Sequence, residues 1–543
     1  VLEKRDGYEA LCRDFRWDVP ASFNIGVAVC DRWAAVDPDR VALIDDASGQ
    51  TLSFGELSRC SNAFADSLAQ RGVRAGDRIA ILLPQSFETV VAHCAAYKLA
   101  AVAVPLALLF GPEALEFRLR FAGARALVTN DLGLRSVRGM RGRLPDLLQV
   151  ITVDPPGPDE MAFDVLLSGD QSRRPVETSA DDPALMIFTS GTTGPPKGAL
   201  HGHRVLLGHL PGYEMAYDFP ARDNDVVWTP ADWAWAGGLL NALLPALYLG
   251  MPVVFGRFER FNPAEAYALM DRRAVTLTFL PPTALRMLKA SGVKPPVTLR
   301  LRAVLSAGEQ LGAATYDWAR SAFGFSVNEF YGQTECNLVL GSAHAIGASR
   351  AGVTGRVVPG HDVAVIDNAG NALPSGEIGQ IAVRRPDPVM FLGYWNDEMA
   401  TRAKFLGDWM LTGDQGFVDA DGYFHFFGRD DDVITSAGYR IGPGEIEDCL
   451  AAHPAVALAA AVGKPDPVRT EIVKAFVVLR DGFEPGEALS EDLKQWVRAR
   501  LSAHEYPREI DFVDQIPLTT TGKVIRRHFR EQAVAEAGRS SGT

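Results

Sequence analysis

Cysteine is scarce and scattered: six in 543 residues, at Cys12, Cys30, Cys60, Cys94, Cys336 and Cys449, with no CxxC pair and no Cys/His cluster. That pattern speaks against a disulfide framework or a structural zinc site and fits a reducing cytoplasm. Positive charge is in deficit too. Lys and Arg number 54 against 67 Asp and Glu, a formal net charge of −13, so neither nucleic acid nor an anionic membrane attracts the chain as a whole. Small anionic ligands stay open, since they need only a local cationic pocket. Long apolar runs are missing as well. The most apolar stretch, Val90 to Phe110, is broken by His93, Lys98 and Pro105, and it reads as a buried helix running into a buried strand instead of an integral membrane span. The opening residues VLEKRDGYEA carry charge and hold no apolar signal-peptide core.

What is present is a globular composition, 47% hydrophobic and 22% charged with a mean hydropathy of +0.01. A chain of this length predicts two to four structural units. Short β-branched runs alternate with amphipathic stretches over most of it: RIAILL (78–83), ARALVTN (124–130), DVVWTP (225–230), PVVFG (252–256), VTLTFL (275–280) and LRAVLSAGE (301–309). FGELSRCSNAFADSLAQRG (54–72) carries the helical spacing and stops at Gly72. This alternation predicts an α/β fold of layered units with largely parallel, buried strands. Beyond about residue 350, HDVAVID, GEIGQIAV and GYFHFFGRDDDVI read as a small β-rich unit with Gly, Asp and Asn turns. An α+β tail follows, with EIEDCLAAHPAV and LSEDLKQWVRARLS as helices and VKAFVVL as a strand. The boundary is expected near Gly428–Asp432, giving domains 1–430 and 431–543.

The first chemical signal is the string from Ile187 to Gly198, IFTSGTTGPPKG. Glycines let backbone N–H groups approach an anion, hydroxyls donate further hydrogen bonds, and Lys197 supplies charge. It is not a Walker A loop, because Lys197 lies between Pro196 and Gly198. A plain surface turn would explain a shorter piece of it, but not the whole string.

TSGTTGPPKG resembles the signature loop of the adenylate-forming (ANL) superfamily, which includes acyl-CoA synthetases, luciferases of the firefly type and the adenylation domains of peptide synthetases. SAGEQ (306–310), FYGQTE (330–335), LTGD (411–414), GRDDDVITSAGYRIGPGEIE (428–447) and PLTTTGKVIRR (517–527) match further family motifs in order. The likeness runs from about residue 30 to 530 and is nearest to the medium-chain acyl-CoA synthetases. It implies a large N-terminal domain of α/β subdomains plus a β-rich subdomain, with a small mobile α+β C-terminal domain. The implied reaction joins a carboxylic acid to ATP, giving an acyl-adenylate and pyrophosphate, and then to the thiol of coenzyme A.

By this resemblance Thr189, Ser190, Gly191, Thr192, Thr193, Gly194 and Lys197 bind the phosphates of ATP. Tyr331 stacks on adenine, Gly308 and Glu309 line the base, and Glu329, Phe330 and Gly332 complete that wall. Asp414 holds the ribose hydroxyls. Arg429 and Arg440 meet ribose and phosphate, Thr334 touches the α-phosphate, and Glu335 anchors Mg²⁺. Thr334, Arg440 and Lys523 are the expected catalytic residues. The chemistry explains Lys523: an anionic carboxylate must attack an anionic phosphate, and a cation bridging both offsets the repulsion. For the thioester step the resemblance implies a hinge at Asp431 and a pantetheine tunnel along Ala437, Gly438 and Tyr439. Arg469 and Tyr506 would contact the CoA nucleotide.

The acyl pocket maps to Trp235, Ala236, Gly237, Ala307 and Gly332. Acetate-specific relatives place a tryptophan after the adenine-stacking aromatic, where this chain has Gly332. The small residues predict a medium-length, branched or aromatic acid, and predict that Gly332→Trp shifts preference toward acetate. Trp233, Met215 and Phe279 are the side chains able to refill the space. Other readings are a short-chain (acetyl or propionyl) synthetase, an adenylation enzyme loading a separate carrier protein, a luciferase-like oxygenase and a catalytically silent relative. The 20 residues after Lys523 leave no room for a fused carrier. Intact Lys197, Glu335, Asp414, Arg429 and Lys523 speak against silence. A homodimer is compatible with the resemblance.

Overall fold

The computed structural model describes residues 2–189, 196–256, 258, 260–309, 311–429, 432–436, 439–466, 469–501, 506–518 and 524–540, with the side chains of 435, 439, 440 and 538–540 outside the description. Among the described residues the strands form four sheets. The first runs 393–394, 197–202, 183–189, 102–105, 78–82, 124–129, 149–152, 161–162, and the second runs 356–357, 336–341, 328–333, 303–306, 277–279, 227–228, 253–255, 41–45, 51–53. Their central pairs are parallel, such as Ile79 with Ala103 and Leu277 with Ala303, and antiparallel pairs stand at the edges.

Strand periodicity sets the layers. Ile79 and Ile81 face a central cluster with Val227, Val253, Leu277 and Leu305 of the other sheet, and helix residues Phe64, Tyr97 and Leu206 fill the space between. Ala80 and Leu82, one residue out of step, face a separate cluster under the helices Pro112–Ala122 and Asp131–Val137. Trp228, Val254 and Val304 do the same on the far side of the second sheet. Strands buried on both faces therefore read as continuous apolar runs in the sequence.

The helix Phe54–Gln70 starts at a capping box, in which Ser53 Oγ accepts from Glu56 N at 3.2 Å and Ser53 N donates to Glu56 Oε2 at 2.8 Å. The apolar run Val90–Phe110 divides into the helix Phe87–Lys98 and the strand Val102–Pro105. Lys98 is 2% exposed, and its ammonium reaches Asp31 at 2.6 Å and Ser61 and Asn62 at 2.8 Å. A buried cation is tolerated only with such partners. All six cysteines are free, and among the described residues no helix is long and apolar enough to cross a membrane.

The third sheet is antiparallel, running 363–366, 379–384, 409–418, 405–406, with 424–429 paired to 409–418. The fourth comprises 434–436, 439–441, 456–466, 470–479 and 509–512. The expected strand segment GYFHFFGRDDDVI is thus split: Phe424–Arg429 belongs to the third sheet and Ile434–Ser436 to the fourth. Around the fourth sheet pack the helices Pro443–Ala451, Glu487–Arg500 and Arg526–Ser540. Arg526 Nε donates to Glu447 Oε1 at 2.8 Å, and Arg530 pairs with Asp432, tying the last helix to the start of this unit.

Candidate active site

The strand Pro183–Thr189 enters the glycine-rich loop and the strand Lys197–Gly202 leaves it, antiparallel, with Thr189 directly opposite Lys197. Ser190, Gly191, Thr192, Thr193 and Gly194 lie outside the described residues. Lys197 Nζ stands 5.0 Å from the centroid of the Tyr394 ring. The Tyr394 hydroxyl donates to Glu335, whose carboxylate is buried. Burial first, and then the charge of Glu335, holds the Tyr394 phenol above its usual range, so it remains a donor. Tyr394 was not among the residues read from the sequence; its one signal was an aromatic between turn residues in FLGYWND. Behind this group His201, fully buried and held neutral by burial with its pKa pushed down to about 3, approaches the backbone at Thr334.

The residues expected at the nucleoside are assembled from three strands. Asp414 on Trp409–Val418 and Arg429 on Phe424–Arg429 are register partners, with Arg429 NH1 3.4 Å from Asp414 Oδ1. Two motifs fifteen residues apart thus become neighbours across one ladder. The Tyr331 hydroxyl donates to Asp414 Oδ2, and Gln333 Nε2 lies 3.5 Å from the same oxygen and donates to Thr412 O at 2.9 Å. Gly308 has φ +103° and open space where a Cβ would be, so a flat base can approach its backbone.

Two residues face elsewhere than expected. Phe330 alternates with Tyr331 on the same strand, so its ring turns into the core and packs 5.8 Å from Phe279, away from the nucleotide wall. Glu309 is taken up by the helix Pro282–Ser291: its carboxylate accepts from Thr283 N at 3.1 Å, from the Thr283 hydroxyl and from Arg286. It fixes the loop instead of offering its charge to a base. Glu329 is partly buried beside Asp448 of the C-terminal unit. Burial, with the Asp448 charge adding to it, pushes its carboxyl up to about 8.

Of the residues expected around the acid, Trp235 meets Phe110 edge to face at 5.6 Å, and the small residues Ala236 and Ala307 lie against the central core. A Cβ on Gly237 would stand 2.8 Å from Phe279 Cε1. Of the side chains able to refill the space, Phe279 is therefore the one beside Gly237; Met215 packs toward Gly341 and Trp233 toward Phe255. Gly332 corrects the sequence reading. A Cβ there would lie 2.3 Å from Leu338 N and 2.6 Å from Asn337 Cα, so the glycine makes room for a crossing backbone. A tryptophan at 332 would collide with that turn before it could shorten a pocket.

In the C-terminal unit, Ser436 pairs with Thr470, which brings the paired strands 434–436 and 439–441 beside Arg469; Arg469 N donates to Asp466 Oδ1 at 2.8 Å. Tyr506 receives a hydrogen bond from Arg508 NH1 at 3.1 Å, and Arg508 N donates to Val473 O, so it lies at the same end of the sheet. Asp431, Ala437, Gly438 and Lys523 fall outside the described residues, as do the side chains of Tyr439 and Arg440.

Comparison with known proteins gives the family. The model of the AMP-binding enzyme family matches residues 30–395, and that of the AMP-binding enzyme C-terminal domain matches 445–523. The chain is 34% identical to the acetyl-coenzyme A synthetase of Bacillus subtilis, over 96% of this chain and 94% of that protein. It is 32% identical to the mitochondrial acyl-coenzyme A synthetase ACSM2B of Homo sapiens, over 96% of this chain and 93% of the relative. A crystal structure of the anthranilate CoA ligase AuaEII with anthranoyl-AMP superposes with a TM-score of 0.87 at 29% identity, covering 96% of this chain and 99% of that one. Matched by both family models along most of its length, the chain belongs to the AMP-binding enzymes, as an acid–thiol ligase of the acyl-CoA synthetase kind.

Proposed function

We propose that the acid is larger than acetate: a medium-length, branched or aromatic carboxylate, activated with ATP and passed to coenzyme A. The observation that carries this reading is the acyl side of the site, where Ala236, Gly237 and Ala307 are small and the rings of Trp235, Phe110 and Phe279 stand around them. Aromatic walls beside small residues favour a flat or extended apolar group. Each methylene buried there contributes roughly 0.8 kcal/mol to binding, a margin acetate lacks. Relatives point both ways by name, one to acetyl-CoA and one to an anthranilate ligase, and the reading rests on the walls.

In this reading the nucleotide is held by the Asp414–Arg429 pair and Tyr331, and the triphosphate by the loop at 189–198. Among the described residues no group of three or more His, Cys, Asp and Glu is placed to hold a metal. The buried carboxylate of Glu335, oriented by Tyr394, would hold Mg²⁺ together with phosphate oxygens, and the ion would supply charge neutralisation. Thr334 and Lys523 then act on the α-phosphate. Movement about Asp431 would bring the 436–441 hairpin and Arg469 to the adenylate for thiol attack. Pyrophosphate release measured over C2–C12 acids and substituted benzoates, with and without CoA, tests the assignment. Higher kcat/KM for acetate than for every larger acid would overturn it.

A further inference from the structure

One triply bonded side chain at the site, Lys404, carries no assigned role. Lys404 follows the helix Glu398–Ala403, and its ammonium donates to Gln333 Oε1 at 2.7 Å, Leu411 O at 3.0 Å and Thr412 O at 3.4 Å. Those partners join two motifs, the turn 331–335 and the strand 411–414. Gln333 continues the connection: its amide nitrogen donates to Thr412 O at 2.9 Å and lies 3.5 Å from Asp414 Oδ2, the oxygen that also accepts from Tyr331. With its oxygen claimed by Lys404, the Gln333 amide has one orientation that keeps its N–H groups on the carboxylate side. Asp414 Oδ2 is thereby fixed from one side by Gln333 and Tyr331, while Oδ1 faces Arg429.

We propose that Lys404 is a positioning residue for ribose recognition, acting through Gln333 to hold Asp414 and the Tyr331 turn in the geometry that meets the nucleotide hydroxyls. The inference rests on the reading of Asp414 as the ribose ligand. Lys404 also stands within the electrostatic reach of Glu335, Asp414, Lys197 and Arg429; burial lowers its ammonium from the usual range and the two carboxylates act against that. It does not touch the reacting atoms. All three of its protons are directed at protein oxygens.

A role in ribose recognition makes a demand that simple fold support does not. Adenylation is measured with ATP and with 2′-deoxy-ATP and 3′-deoxy-ATP for the full chain and for Lys404→Met, Lys404→Arg, Gln333→Leu and Asp414→Asn. The wild type is expected to prefer ATP over the deoxynucleotides. Lys404→Met should compress that preference roughly tenfold, the scale of one lost charge-assisted hydrogen bond, through KM for ATP. The KM values for acid and CoA should stay within about twofold. Gln333→Leu should show the same compression with Lys404 intact, and Lys404→Arg should restore most of it. A loss shared equally by ATP and the deoxynucleotides, or an unchanged preference, in both Lys404→Met and Gln333→Leu would overturn the proposal. Asp414→Asn separates the two readings: an unaltered preference in that variant means that the ribose assignment itself is wrong.

Discussion

Phe279 offers the sharpest test of the acyl pocket. It ends the strand Leu277–Phe279, is 4% exposed, and holds its ring edge 2.8 Å from where a Gly237 Cβ would be. Phe279→Ala removes a phenyl ring and opens room beside Gly237 for about three methylenes. At roughly 0.8 kcal/mol each they add about 2.4 kcal/mol to the binding of a longer acid, a factor of roughly 60. The ratio of kcat/KM for octanoate to that for butyrate should rise by about that factor, or less if the core partly collapses. The same change costs roughly 3–5 kcal/mol of stability because the ring also supports Phe330. Phe279→Leu is therefore measured alongside, with a smaller shift in the same direction, and thermal melts establish that both variants are folded. A folded Phe279→Ala with an unchanged chain-length profile would refute the placement of Phe279 at the pocket floor.

At Gly332 the clash with Leu338 N and Asn337 Cα predicts that even Gly332→Ala lowers adenylation of every acid alike and lowers the melting temperature. A selective gain for acetate would restore the pocket-plug reading. Glu329 gives a pH signature. Its carboxyl is raised from 4.5 to about 8 by burial, so the folded protein binds a proton that the unfolded chain releases, and stability should fall as pH climbs from about 4.5 through about 8. Glu329→Gln should flatten that decline in melts between those limits, and an identical slope in the variant would show that the carboxyl is not responsible. Lys523→Ala should abolish acyl-adenylate formation while thioester formation from a supplied acyl-adenylate proceeds. Equal loss of both half-reactions would remove Lys523 from its assigned step.

The layered sheets were legible because buried parallel strands are apolar throughout, and Ile79–Leu82 and Leu277–Phe279 show that run plainly. Order along the chain also announced the nucleotide motifs. What the sequence could not show is direction and partner. Phe330 and Tyr331 are adjacent aromatics, and only the pleat decides that one enters the core while the other reaches Asp414. Gly332 looked like an absence of bulk, whereas its smallness answers a backbone crossing from 337–338. Tyr394 and Lys404 were invisible for the same reason: each acts on a residue some sixty to seventy positions earlier, Glu335 and Gln333, and nothing local marks such a pairing.

The division of strands between the third and fourth sheets has a mechanical meaning. Arg429 closes the ladder with Asp414, and strand pairing resumes at Ile434 in a sheet whose ladders are all internal to the C-terminal unit. Among the described residues no strand ladder joins that unit to the rest, so the rotation proposed for it would break no strand pairing. Its free-energy cost would fall on side-chain packing such as that of Asp448, whose carboxylate stands 3.1 Å from where a Cβ on Gly312 would be. Among the described residues the proposed turn about Asp431 would thus part no ladder, like an axle set between two finished frames, and it would start two residues after Arg429, a residue assigned to the nucleotide.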